Sequence, residues 1–362
     1  MLLFCSAQPH RPIPMKRLQG LDGVTFLKVA PAIQAGLPPP DFFYGNFPVD
    51  VAAEYARPTR ASAAGVIRTG HVRLQSTMIL RVGDDLASFS EAGIHRRLVE
   101  PEIAALAGKP TQSRRLTGPH VLLATGRSHR IYGHWLIDHL PKLFLLEAAG
   151  FDLSTLRFLW PASARRFAMR MLYEIGISDA SLVHYDDEKD ILEIDELLVP
   201  TLIRMGKLAG PVLRDVARFL SDRIGPSSGV HEVGERLFVA RGNGGPRPLA
   251  NRSAIEALAK SHGYHIVSPE TMSFGEQVHM FRRATRIVGE YGSALHNSIF
   301  SKRGTVVCAL RGDRFVPGFL QSSIGQCLEQ PTGYVFGAEV PGEAKTWSVD
   351  EGDVMEALRF MN

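Results

Sequence analysis

The rhythm of hydrophobic and polar positions changes twice along the chain. Residues 1 to about 60 are rich in proline and aromatic side chains, as in Pro38-Pro39-Pro40 and Phe42-Phe43-Tyr44, with little periodicity. Such a segment is expected to wrap over a domain and not to fold alone. Three apolar, β-branched runs then follow (Gly65-Val-Ile-Arg, His71-Val-Arg-Leu and Met78-Ile-Leu-Arg-Val), turned at Gly83-Asp84-Asp85. They predict short strands of a hairpin or meander, a small antiparallel β appendage near the N-terminus.

From His120 onward the pattern alternates between buried apolar runs and amphipathic stretches. It predicts a strand over 120–126, a helix over 132–149, a strand over 156–160 and a helix over 162–175 with Arg165, Arg166 and Arg170 on one face. A strand over 191–200 comes next, then a polar loop and an amphipathic helix over 212–224. Pro226-Ser-Ser-Gly229 reads as a hinge. The second half repeats the alternation: strand 236–240, a helix after Asn251, strand 264–267, helix 274–284, strand 286–289, helix after Ser293 and strand 305–310. Ser273 and Glu276 have the spacing of a capping box at the start of helix 274–284. Strand, loop, helix and strand in this order build a doubly wound parallel α/β sheet with right-handed crossovers. After Leu310 the chain reads as irregular until a final helix over 349–361.

Composition narrows the class. A chain of 362 residues suits two domains, and 45% hydrophobic with 22% charged residues is ordinary for a soluble protein. The formal net charge of +4 is slight for this size. It suits an anionic ligand or loose contact with an acidic membrane surface and does not argue for nucleic acid. Cys5, Cys308 and Cys327 lie far apart with no metal-type spacing, so a reducing compartment is expected and no disulfide framework. The apolar start Met1-Leu-Leu-Phe-Cys5 is too short for a secretory core. No stretch approaches the roughly 20 apolar residues that span a bilayer. A cytoplasmic protein is expected, with peripheral contact at the inner membrane compatible with its charge.

Ligands of open parallel sheets bind beyond the carboxyl ends of the strands, which singles out three loops of the second half. The loop Arg241-Gly-Asn-Gly-Gly-Pro-Arg247 offers two guanidinium groups to phosphate oxygens. It lacks the third glycine of a dinucleotide fingerprint. Glu270, in Ser268-Pro269-Glu270, can accept from a ribose hydroxyl. The turn Gly292-Ser293 places Ser293 at a helix N-cap, with free backbone N–H groups for an anion and with His296 and Asn297 in the first turns. In the first half, His134 and Asp138 share a helix face, and a carboxylate so placed can orient an imidazole as general base. A purely structural His–Asp pair fits the same spacing.

The stretch Tyr132-x-His134-Trp135-x-x-Asp138-His139-Leu140-Pro141-Lys142 resembles a motif of glycosyltransferase family 61. Arg241 with Arg247 and Asn251, Ser268-Pro269-Glu270, Glu276-Gln277 and Gly289-x-x-Gly292-x-x-Leu295-x-Asn297-x-x-Phe300 are similar to its C-terminal signature. The resemblance covers roughly residues 118–310. It implies a GT-B architecture, two Rossmann-like domains facing across a cleft, and inverting transfer of a sugar from a nucleotide-sugar donor to a hydroxyl of a saccharide or lipid-linked acceptor, without a bound metal or other cofactor. The implied division is an acceptor-side domain over 1–225, a nucleotide-sugar domain over 226–345 and a terminal helix over 346–362. The implied donor residues are Arg241, Arg247, Asn251, Glu270, Gly292, Ser293, His296 and Asn297, and the base is His134 or Asp138. The resemblance also implies a place in capsular polysaccharide biosynthesis, to which bacterial members of the family are commonly assigned. One departure stands out: the family often has His where this chain has Tyr291. An NAD(P)-dependent oxidoreductase and a non-catalytic polysaccharide-assembly partner are the rival readings.

Overall fold

The computed structural model describes residues 13–48, 58–225, 234–241, 248–312, 319–343 and 345–362. It is a mixed α/β structure with two main sheets, of nine and seven strands, plus two small two-stranded antiparallel sheets. Among the described residues no helix is long and apolar enough to cross a membrane. The hinge expected at 226–229 and the start of the chain lie outside the described residues.

The first sheet is built around Asp190–Pro200, which pairs in parallel with Gln112–Val121 on one side and antiparallel with Ala64–Gln75 on the other. Arg157–Pro161 and Leu182–Tyr185 extend the parallel side. The antiparallel strands expected ahead of the α/β unit are present, but they are not an appendage. Ala64–Gln75 runs as one strand, continuous through His71 although that residue takes a positive φ. Nine backbone pairs join that strand to Asp190–Pro200, so the meander is an edge of the main sheet.

The second sheet has the order His265–Val267, Arg236–Val239, Arg286–Glu290, Val306–Gly312, Thr332–Glu339, all parallel. The chain starts with Arg236–Val239, steps to one side, then to the other. The two crossovers therefore diverge above that strand, leaving the crevice in which open α/β sheets bind ligands. Two elements here differ from the sequence expectation of an irregular stretch after Leu310: the helix Leu320–Leu328 and the strand Thr332–Glu339. The strand is interrupted by glycines because its neighbours come too close for side chains. A Cβ on Gly337 would lie 2.0 Å from the Ser348 carbonyl oxygen, and one on Gly333 would lie 2.2 Å from the Phe42 ring. Phe42–Tyr44, from the segment expected to wrap over a domain, pairs in parallel with this strand.

One apolar cluster joins the halves, running from Leu136, Leu140 and Phe219 in the first to Phe281, Leu295 and Ile299 in the second. Polar ties reinforce it. Glu174 accepts from the N–H groups of Phe274 and Gly275 at 3.1 and 2.5 Å, adding a carboxylate to the helix start that Ser273 and Glu276 close with the expected capping box. The Tyr132 hydroxyl lies 2.7 Å from Gln277 Oε1 and 2.9 Å from Asn297 Oδ1.

Candidate active site

The helix expected over 132–149 is three pieces: an α-turn Tyr132–His134, a π-turn Trp135–His139 and an α-helix Pro141–Ala148. Pro141 has no N–H for the carbonyl one turn back and its ring crowds that turn, which favours the wider i→i+5 bonding seen from Leu140 N–H to the Trp135 carbonyl at 2.8 Å. Trp135 lies wholly in the core, and its indole N–H donates to the His129 carbonyl.

His134 and Asp138 face each other across the π-turn, with Nδ1 and Oδ2 2.5 Å apart. The Asp138 side chain is 3% exposed, while that of His134 is 37% exposed. Arg204, in a two-residue strand of a small hairpin, grips both Asp138 oxygens, Nε to Oδ1 and Nη2 to Oδ2, each at 2.6 Å. Burial opposes ionisation of Asp138, but the Arg204 charge and the hydrogen bonds from His134 and Arg204 outweigh it and hold the carboxyl well below the usual carboxylate range. An ionised carboxylate only accepts, so the short contact with Asp138 is a hydrogen bond donated by His134 Nδ1, and Arg204 Nη2 lies 3.2 Å from that same nitrogen. Arg204 carries no sequence signal. It lies 66 residues from Asp138 in a stretch that reads as a polar loop.

The turn after Arg286–Glu290 packs directly against this segment. A Cβ on Gly133 would lie 2.7 Å from Ser293 Oγ and 3.0 Å from His296 Cδ2, so glycine lets this backbone pack directly on the Ser293 and His296 side chains. The helix expected to open with Ser293 as its cap is a 3₁₀ helix, Ser293–Phe300, and the cap position belongs to Gly292 with no side-chain cap. The tighter turn follows from the Asn297 amide, which donates to the Ala294 carbonyl at 3.1 Å and so competes with regular α-helical bonding. Ser293 and Ala294 head this helix, so their N–H groups have no intrahelical acceptor.

A cavity of about 660 Å³ opens beyond the strand ends of the second sheet, at the point where the crossovers diverge. Ala240 and Arg241 follow its first strand, residues 269–273 its second and residues 292–294 its third. Of the expected donor residues, Arg241, Glu270, Gly292 and Ser293 line this one cavity. The Arg241 guanidinium lies over Gly292, its Cζ 3.7 Å from where a Cβ would stand. Arg247 lies outside the described residues. Glu290 also lines the cavity; burial raises its carboxyl, against the partial offset of Arg252 and Arg241.

The remaining expected residues are elsewhere. Asn251 stands at the cap position of Arg252–Ser261 but turns its amide to the Val349 backbone, donating to the carbonyl at 2.7 Å, and so fastens the C-terminal segment. Asn297 is fully buried, bonded to Gln277 and to the Tyr132 hydroxyl, and the latter bond makes it part of the tie between halves. His296 borders the other cluster. Burial pushes it down to about 4, with Arg204 and His134 adding to the effect and Gln321 and Asp138 opposing it. Tyr291, at the position where the family often has His, turns its ring toward Arg311, whose Cζ lies 5.4 Å from the ring centre, and toward Tyr334.

His134 and Asp138 do not line the cavity themselves; their segment reaches it through Tyr132, which lines it, and through Gly133, which packs against the Ser293 side chain. Residues 132–308 match the family described as Glycosyltransferase 61. No curated protein matches the chain. The match begins at Tyr132, the residue that opens the His134 segment, and ends at Cys308 inside the strand that follows the Ser293 helix. It thus spans both parts of the site.

Proposed function

We infer from the match of residues 132–308 to the family described as Glycosyltransferase 61 that the chain is a transferase of glycosyl groups. From that premise, we propose that it moves a sugar from a nucleotide-sugar donor to a hydroxyl of a saccharide or lipid-linked acceptor, with inversion, during assembly of a cell-surface polysaccharide. The two sheets and their shared crevice support a GT-B arrangement, with the acceptor served by residues 1–225, the donor by 226–345 and a terminal helix over 346–362. The strand Phe42–Tyr44 threads back into the donor-side sheet.

In this reading the donor diphosphate rests on the N–H groups at Ser293 and Ala294 and on the Arg241 guanidinium. His134 Nε2 takes the acceptor hydroxyl proton as that oxygen attacks the anomeric carbon. The bond from that carbon to the diphosphate oxygen breaks, and the leaving group departs with its bonding electron pair into the cradle of donors. Attack from the face opposite the leaving group inverts the anomeric centre. Asp138 keeps the imidazole in the tautomer that leaves Nε2 free, and Arg204 keeps Asp138 ionised. No step in this account needs a metal or other cofactor.

The observation that carries the reading is the contact of Gly133 with Ser293, which brings base and diphosphate seat to adjacent turns. Incubation with nucleotide sugars and a lipid-linked or oligosaccharide acceptor pool, followed by NMR of the new anomeric proton, tests it. A product of opposite anomeric configuration to the donor is expected; a product that retains the donor configuration would overturn the single-displacement mechanism.

A further inference from the structure

One wall of the cavity comes from the first half, and nothing in the catalytic account uses it. Phe167, Arg170, Met171 and Glu174 line the cavity together. They stand at i, i+3, i+4 and i+7 of the helix Arg166–Glu174, which is one face of a helix. The basic residues that stand out there in the sequence thus have one member, Arg170, at the cavity. Across from this face are Pro269, Met272 and Phe274 of the second half.

Glu174, the last residue of the helix, binds the N–H groups of Phe274 and Gly275 and so clamps this face to the facing helix start. Phe167 packs against Tyr132, which also lines the cavity, with ring centroids 5.8 Å apart. Arg170 is exposed, and among the described residues it makes no hydrogen bond or ion pair. The composition is telling. One end of the cavity has N–H groups and a guanidinium for phosphate, while this end has two aromatic rings, two thioethers, a guanidinium and the Glu174 carboxylate, which the Phe274 and Gly275 N–H groups engage. A flat, apolar-faced heterocycle edged with oxygen acceptors matches the second end, because thioethers and rings pack on its faces and a guanidinium only donates.

We propose that Phe167 and Arg170 of the first half grip the nucleoside of the donor, Phe167 against the base and Arg170 on its oxygen acceptors, so that the nucleotide is held between the two halves of the molecule. This rests on the donor-cavity reading above. The nucleoside is then a bridge, and its recognition depends on residues far in sequence from the Arg241 and Ser293 loops.

Calorimetric titration with UDP, GDP, CDP, ADP and inorganic pyrophosphate separates the two claims. Arg170→Ala is expected to weaken the preferred nucleoside diphosphate roughly tenfold, the scale of one hydrogen bond from a charged group. Phe167→Ala is expected to act in the same direction. Neither should change pyrophosphate binding, whereas Arg241→Ala should weaken both ligands. Arg170 is exposed, so its variant keeps the core intact, and melting temperature checks this. Unchanged nucleotide affinity in Arg170→Ala and Phe167→Ala, with loss in Arg241→Ala, would overturn the bridge and leave the donor cavity standing. Absence of binding by every nucleotide in the wild-type protein, or full binding in Arg241→Ala, would overturn the donor cavity itself.

Discussion

At the scale of single residues, the site turns on how a carboxylate is kept charged inside the protein. Asp138 is nearly inaccessible, and ionisation there costs free energy unless cations and donors surround it. Arg204 supplies both of its hydrogen bonds to Asp138 with a planar fork, which a lysine cannot reproduce. Arg204→Ala is expected to destabilise the fold by about 3 kcal/mol, the low end for breaking a buried pair because Arg204 keeps some solvent contact. Denaturant unfolding measures this. The pair His134–Asp138 was legible from its spacing, but Arg204 was not, since its role depends on a hairpin that folds back from a distant part of the chain.

Histidine burial gives the fold a pH dependence with a definite sign. His296 is pushed down to about 4, and His120, His129 and His139 are also lowered, all chiefly by burial. Below the ordinary histidine value of about 6.5 the unfolded chain takes up protons that these folded residues refuse. Stability from them is therefore complete above that value and is lost as pH falls toward 4. The melting temperature should decline across this interval, and His296→Gln should show a shallower decline. A melting temperature that is flat from pH 7 to 4.5 would contradict the burial of these rings.

At the scale of elements, much of the α/β alternation was legible, because strands of a buried parallel sheet read as continuous apolar runs and helices as amphipathic ones. The failures have local causes. The strand Thr332–Glu339 is hidden by Gly333 and Gly337, which are required by close neighbours and erase its strand propensity. The Ser293 helix winds as 3₁₀ because Asn297 bonds back to its first turn. The π-turn at Trp135–His139 leaves no mark in hydrophobic period beyond Pro141. Gly133 is the residue through which these two irregular elements meet. Gly133→Ala would put a methyl group 2.9 Å from Ser293 Cβ, which must move. Overpacking of this kind costs roughly 1–3 kcal/mol, and the variant should lose transfer activity more than tenfold while donor affinity falls less. Equal activity in Gly133→Ala would mean that the contact does not set the spacing of base and donor seat.

At the scale of the whole molecule, the site exists because two halves share a core and leave a crevice at the divergence of the second sheet's crossovers. That crevice was legible, since strand order and loop position follow from the alternation of elements. Four of the loop residues named from the sequence line it. The contacts that hold the halves together were not legible: Glu174 on Phe274 and Gly275, and Tyr132 with Gln277 and Asn297, join positions about a hundred residues or more apart. Asn297 serves such a tie through the Tyr132 hydroxyl, and Asn251 fastens the C-terminal segment, which is why polar residues near a cleft need not face it.

The account stands or falls on His134 as the group that takes the acceptor proton. The direct measurement is the transfer rate of His134→Ala at saturating donor, alongside its donor affinity by calorimetry. A positioned base contributes roughly 10²–10⁴-fold, so the rate should fall by at least about a hundredfold while the donor dissociation constant stays within about twofold of wild type. Transfer at the wild-type rate in His134→Ala would contradict it.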